Sequence, residues 1–230
     1  MGRADLHLHT CFSDGRPTPT EVVFHVLERT DIDVVAITDH DAIEGALRAA
    51  ELGAAHGLEV IVGEEVSSRD GHILGLFLTR RVRPGMSAAA TVHAIHAQDG
   101  LAIAAHPFWR SDRQRAGRVV HGVGWRAAEL DFDGVEVENA TPGLYLFNQM
   151  AHRLALSVER AAVGGSDAHI LEAIGRARTV FRGRTARDLR KSLIAGATRS
   201  ERQRYSPLAL ARYAAFGLNY RRQRLTALPA

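Results

Sequence analysis

Asp33-Val34-Val35-Ala36-Ile37-Thr38-Asp39-His40 is an apolar run that ends on a carboxylate and an imidazole. Consecutive apolar residues without polar alternation predict a strand buried on both faces, the kind found in parallel sheets covered by helices. The pattern recurs along the chain. Strands are expected over Ala4–His9, Asp33–Thr38, Glu59–Ser67, His72–Leu78, Leu101–Ala105, Gly134–Glu138 and Ala161–Ser166. Helical patterning fills the gaps. Pro19–Arg29 opens with Thr18 as N-cap and Glu21 three residues on, and Ala42–His56 stops at Gly57. Ser87–Gln98, Pro142–Leu156, Thr185–Ala195 and Pro207–Arg224 complete the set. This alternation points to an α/β barrel or a doubly wound sheet. Gly196–Ser206 is the stretch that resembles a tether, so one domain over residues 1–195 is expected. Residues 196–230 would form a basic tether and a helix packed on or near it.

Composition agrees with a globular domain. The 230 residues are 46% hydrophobic and 24% charged, enough for a sizeable core and too apolar for disorder. Cys11 is the single cysteine, which excludes an intrachain disulfide and suggests a reducing compartment. No run of eighteen apolar residues occurs, and the N-terminal stretch lacks the apolar core of a signal peptide. A cytoplasmic protein is expected. The net charge of +3 conceals an asymmetry: residues 1–175 carry 15 basic and 24 acidic side chains, residues 176–230 carry 14 and 2. A basic tail on an acidic body suits contact with nucleic acid, an anionic membrane or a phosphorylated small molecule. It also suits an arginine-rich composition with no such role, since Lys191 is the one lysine. No obligate protein partner is evident.

The chemistry lies in the His, Asp and Glu residues. His7 and His9, at i and i+2 on the first strand, point to one face. Asp14 follows in the next loop, and Asp39 and His40 close the quoted run. Glu64 and Glu65 end Val60-Ile61-Val62, His106 follows Leu101–Ala105, and Asp167 and His169 come just past Ala161-Ala162-Val163. His72 is the exception, standing at the start of a strand. Strand ends of this kind form the rim where α/β barrels gather their functional groups. Imidazoles mixed with carboxylates suit Zn, Mn or Fe rather than Ca or an iron–sulfur cluster. About nine candidate ligands exceed the needs of one ion, so more than one is implied.

His7-Leu8-His9-Thr10 with Ser13-Asp14-Gly15, Thr38-Asp39-His40-Asp41, Gly63-Glu64-Glu65-Val66-Ser67, Ala105-His106-Pro107 and Ser166-Asp167-Ala168-His169 resemble, in order, the motifs of the PHP (polymerase and histidinol phosphatase) family. The similarity runs from about Asp5 to Phe181. It implies a distorted (β/α)7 TIM-like barrel of the PHP type, here with a C-terminal helix, two or three divalent cations (Mn, Fe or Zn) and hydrolysis of phosphate esters. It further implies His7, His9, Glu65 and Asp167 around one ion, Glu65 bridging to a second with His72 and His106, and Asp14, His40 and His169 around a third. The resemblance implies Glu65 rather than Glu64, because Glu65 occupies the Glu place in the family's Gly-x-Glu-hydrophobic-Ser pattern; strand alternation sends the two to opposite faces, so only one can point in.

The expected activity is that of a metal-dependent phosphoesterase cleaving a phosphomonoester (a nucleotide, nucleoside bisphosphate or other small ester) by a metal-bridged hydroxide. A 5'-3' exonuclease on short oligonucleotides and a non-catalytic, metal-stabilised scaffold module are the alternatives. No protein side chain is singled out as catalytic, and Asp39 reads as a residue orienting ligands from behind. Arg110, Arg176 and Arg178, a short way past His106 and His169, are candidates for gripping phosphate. Glu136 and Glu138 read as orienting or structural, and Cys11 as a small buried residue.

Overall fold

A computed structural model describes residues 1–111 and 121–226, with side chains to residue 218. The basic end of the expected last helix, Arg221, Arg222 and Arg224, therefore has its side chains outside the described residues. Strands β1 (Gly2–Asp5), β2 (Val34–Ile37), β3 (Glu59–Ser68), β4 (Gly71–Leu76), β5 (Leu101–Ala104), β6 (Gly134–Asn139), β7 (Ala161–Gly165), β8 (Ala177–Phe181) and β9 (Arg199–Arg202) form one sheet. Its order is β7-β6-β5-β4-β3-β2-β1-β8-β9. The sheet curls until Leu8, just past β1, bridges Ala168, just past β7. The Asp167 N–H donates to the His7 carbonyl at 2.7 Å and the His9 N–H to the Ala168 carbonyl at 2.9 Å, so the barrel is nearly closed beside the two histidines.

The strands are mixed in direction, where apolar runs alone suggest a parallel sheet. β1/β2, β2/β3, β5/β6 and β6/β7 are parallel; β3/β4, β4/β5, β1/β8 and β8/β9 are antiparallel. β3 and β4 form a tight hairpin turning at Arg69-Asp70, with no helix between them. Sequence patterning also missed β8, in which Arg178 interrupts the apolar run, and β9, a polar edge strand within the stretch resembling a tether. Charged residues suit an exposed sheet edge because they discourage pairing with another chain.

The helices are α1 (Pro19–Arg29), α2 (Glu44–His56), α3 (Ala88–His96), α4 (Arg126–Glu129), α5 (Tyr145–Ser157), α6 (Ala186–Ile194) and α7 (Pro207–Thr226), with a 3-10 turn at Leu171–Ala173. Thr18 and Glu21 form the capping box that starts α1, and Gly57, at φ 79°, ends α2. α2 starts two residues later than patterning predicts because Asp41 is left-handed (φ 51°) and its carboxylate accepts the Ser67 N–H at 2.8 Å. Inside the barrel, Leu6, Val34, Ala36, Ile61, Leu74, Ile103, Val163 and Phe181 pack together, with Leu189 and Leu193 of α6 in the same cluster. α1 and α2 pack on Val35 and Ile37 from outside. α7 lies near the rim formed by the loops after β6, β7 and β1. Its Phe216 ring sits 5.5 Å from His169, and the Arg16 guanidinium lies 5.6 Å from the same ring.

Candidate metal centre

The sheet ends bring all nine expected side chains into one cluster. Glu65 is its centre. Oε2 lies 3.2 Å from His7 Nε2, 3.3 Å from His9 Nε2 and 3.2 Å from His40 Nδ1. Oε1 lies 2.8 Å from His72 Nδ1 and 3.1 Å from His106 Nε2. Asp167 Oδ1 stands 3.2 Å from His9 Nε2 and 3.5 Å from His7 Nε2. On the side toward α7, Asp14 Oδ1 is 3.1 Å from His169 Nε2, 3.8 Å from His9 Nδ1 and 3.9 Å from His40 Nε2. Glu64 turns away, as alternation requires, and its Oε2 accepts the Val82 N–H at 2.7 Å.

Two of these residues occupy costly backbone conformations: Asp167 has φ 52° and His106 φ 26°. Non-glycine residues at positive φ are uncommon and gather where function dictates geometry. Gly165, which precedes this turn, has no room for a side chain. A Cβ there would come within 2.5 Å of His7 Cβ and 2.6 Å of Glu136 Oε1.

The donors fit divalent cations. His7 Nε2, His9 Nε2, His40 Nδ1 and His72 Nδ1 are buried without a hydrogen bond, although carboxylate oxygens lie close by. Ring nitrogens crowded against carboxylate oxygens without hydrogen-bonding them are what ligands around a shared cation present. Among the described residues, four sets of donor atoms lie close enough to share an ion: His9, Asp14, His40 and His169; His7, His9 and Glu65; His40, Glu65 and His72; and His7, His106 and Glu136. The partition differs from the one the resemblance implies in that His40 stands between Asp14 and Glu65, and His9 between Asp14 and Asp167.

Electrostatics show the same demand for positive charge. Burial opposes charging His9, yet the Asp167 and Glu65 carboxylates hold it protonated up to about 10. His7 is raised well above its usual value against the same burial, by Glu136, Asp167 and Glu65. Glu65 and Asp167 are buried too, which favours their neutral forms, but the surrounding imidazoles hold both well below the usual carboxylate range. Burial pushes His40 down to about 4, so its ring is a neutral donor near neutral pH. Protons on His7 and His9 here balance carboxylates that a cation would balance instead.

A supporting layer fixes the donors. Glu136 Oε1 faces His7 Nδ1 at 2.9 Å and Oε2 accepts the His106 N–H at 2.8 Å, the orienting role open to it in the sequence. Asp39 accepts from the Thr10 N–H (2.7 Å) and from the Thr10 (2.6 Å) and Ser13 (2.6 Å) hydroxyls, and Ser13 Oγ lies 3.4 Å from His9 Nδ1. Asn139 and Thr141 escaped the sequence reading. Their side chains donate to Asp167 Oδ2 at 3.2 and 3.1 Å. Their position at the end of β6 (Asn139) and just past it (Thr141), where the other site residues stand on their strands, was the available signal. His121 was missed as well: its ring is 5.2 Å from that of His72 and 4.6 Å from Trp109.

The three arginines separate. Arg110 stays at the rim, its guanidinium 5.4 Å from the Trp109 ring and Nη1 3.4 Å from His121 Nε2. Arg178 does not face the cluster: Nη1 pairs with Asp31 at 2.6 Å and Nε with Glu201 at 3.2 Å. Arg176 bonds the carbonyls of Glu172 and Arg204 at 3.0 and 3.1 Å, which ties it to the C-terminal segment. Cys11, expected to be buried, is exposed.

Residues 5–131 match the family model described as the PHP domain, and residues 146–198 match that described as PHP-associated. A protein of uncharacterised function from Methanocaldococcus jannaschii is 37% identical over 149 residues, 60% of this chain and 82% of that one. A 3',5'-nucleoside bisphosphate phosphatase from Chromobacterium violaceum is 41% identical over 80 residues, which span 33% of this chain and 28% of that protein. Among solved structures, a two-domain protein from Bacteroides vulgatus containing a predicted PHP-like metal-dependent phosphoesterase shares the fold. Its TM-score is 0.70 at 20% identity, over 87% of this chain and 64% of that one.

Proposed function

The chain belongs to the PHP domain family, and from that premise we propose that it is a metal-dependent hydrolase of phosphomonoesters. The observation that carries this reading is the convergence of five imidazoles on the two oxygens of one buried carboxylate, Glu65. His7, His9, Glu65 and Asp167 would hold one cation, Glu65 with His72 and His106 a second, and Asp14, His40 and His169 a third. When bound, such ions supply positive charge for phosphate oxygens and acidify a water toward neutrality. Glu136, Asn139 and Thr141 keep His7 and Asp167 in a single orientation, so the donors need little rearrangement. Arg110, exposed beside Trp109 and His121, is placed to meet an anionic group entering over His106.

The Chromobacterium relative's name supports a nucleotide or nucleoside bisphosphate as the class of substrate, alongside other small phosphate esters. The test is phosphate release by Mn-loaded protein from nitrophenyl phosphate, nucleoside mono- and bisphosphates, sugar phosphates and short oligonucleotides, with Asp167→Ala as control. Turnover of one class, abolished in the variant, supports the reading. No release with metals shown to be bound overturns it and favours the scaffold module.

A further inference from the structure

We infer that Tyr213 is a positioning residue for Asp167, acting through Thr141, so that docking of α7 sets the cation affinity on the Asp167 side of the centre. This rests on the metal-centre reading above. Asp167 uses its two oxygens differently. Oδ1 faces His9, His7 and His169, whereas Oδ2 accepts from Asn139 Nδ2 and from Thr141 Oγ1. A threonine hydroxyl has one proton, and here it goes to the carboxylate, which leaves the oxygen free to accept. The Tyr213 O–H donates to it at 3.5 Å. Chains of hydroxyls ending on an anion polarise one another and fix the anion's rotation better than either bond alone.

Asp167 needs such a restraint because its backbone is held at φ 52°. Tyr213 is itself held by packing: its ring lies 6.0 Å from Tyr205 and 6.4 Å from Phe216, and Phe216 in turn rests on His169. Arg212 pairs with Glu172 and anchors the same turn of α7. The helix thus reaches two members of the cluster, His169 by ring contact and Asp167 through a hydroxyl relay.

The experiment is a Mn²⁺ titration followed by electron paramagnetic resonance on the full chain, beside the melting temperature of the metal-free protein. Tyr213→Phe deletes the hydroxyl and keeps the ring; Thr141→Val deletes the relay at nearly constant shape; Thr141→Ser restores it. Loss of a group that orients a ligand typically weakens a metal site about 10- to 100-fold. Thr141→Val is expected near the lower end of that range, Tyr213→Phe weaker by a few-fold, and Thr141→Ser near wild type. Adding Tyr213→Phe to Thr141→Val should change nothing more, since the path is already cut. Wild-type binding with unchanged isotherms in Thr141→Val and Tyr213→Phe overturns the inference alone, as does a lowered melting temperature with no change in Mn²⁺ affinity. Absence of Mn²⁺ binding by the wild type overturns the metal-centre reading and the inference with it.

Discussion

His72 and Glu65 stand on adjacent antiparallel strands two residues out of register, yet His72 Nδ1 comes within 2.8 Å of Glu65 Oε1. The direct partners are Ser67 with His72 and Glu65 with Leu74. Because β4 runs against β3, its first residues lie at the rim where the parallel strands end. A histidine at the start of a strand thereby joins a cluster built otherwise from strand ends and the loops beyond them.

Glu65 is the carboxylate that five imidazoles face, so its charge is the first to test. Glu65→Gln keeps the shape and removes one carboxylate. Bound metal, measured by elemental analysis after dialysis, should fall below wild type, and phosphate release should fall by about 100-fold or more. Full metal content in this variant would count against Glu65 as the bridge.

Glu136 touches the His7 nitrogen that faces away from Glu65. Glu136→Gln should lower metal affinity by about 10-fold, because the ring loses the carboxylate that sets its tautomer and basicity. A titration with a competing chelator reads this directly. An unchanged affinity would assign Glu136 to packing only.

Metal binding should release protons. In the metal-free chain His9 is held protonated up to about 10, so its contribution to stability is full below about 6.5 and is lost as pH rises through about 10. A cation needs the neutral ring, so apparent metal affinity should rise with pH across that window, and phosphate release should fall at acidic pH. Calorimetry in buffers of different ionisation enthalpy measures the protons released. Binding heats independent of buffer would refute the linkage.

Glu64 gives a stability dependence of the same sign at a lower pH, with its side chain turned away from the centre. Burial pushes its carboxyl up to about 7, so its contribution to stability is full below about 4.5 and is lost as pH rises through about 7. Glu64→Gln stays neutral and can still accept from Val82. It should match wild type near pH 4 and exceed it at pH 8 by on the order of 2 kcal/mol. Denaturant unfolding of the metal-free chain at the two pH values decides it.

Arg178 should behave as a structural residue. It is 7% exposed and paired with Asp31 and Glu201, so Arg178→Ala should cost ~1–3 kcal/mol of stability, reduced by the exposure of Asp31. KM for a phosphate ester should not change. A raised KM with unchanged stability would return Arg178 to the substrate site.

The sequence by itself determined the alternation of buried strands and helices, the caps of α1 and α2, and the residue types that meet at the rim. Those signals are local: apolar runs, an N-cap with its acidic partner, a terminal glycine, and strand parity that separates Glu65 from Glu64. Tertiary structure decided what depends on which strand lies beside which. It set the reversed direction of β4 that delivers His72, and it added β8 and β9, whose arginines hide them from apolar patterning. It also took Arg178 away from the site, where Asp31, nearly 150 residues earlier in the chain, neutralises it. Asn139, Thr141, His121 and Tyr213 belong to the same class. Each matters through contacts with residues distant in sequence, and no local period records a contact that forms only when the barrel closes.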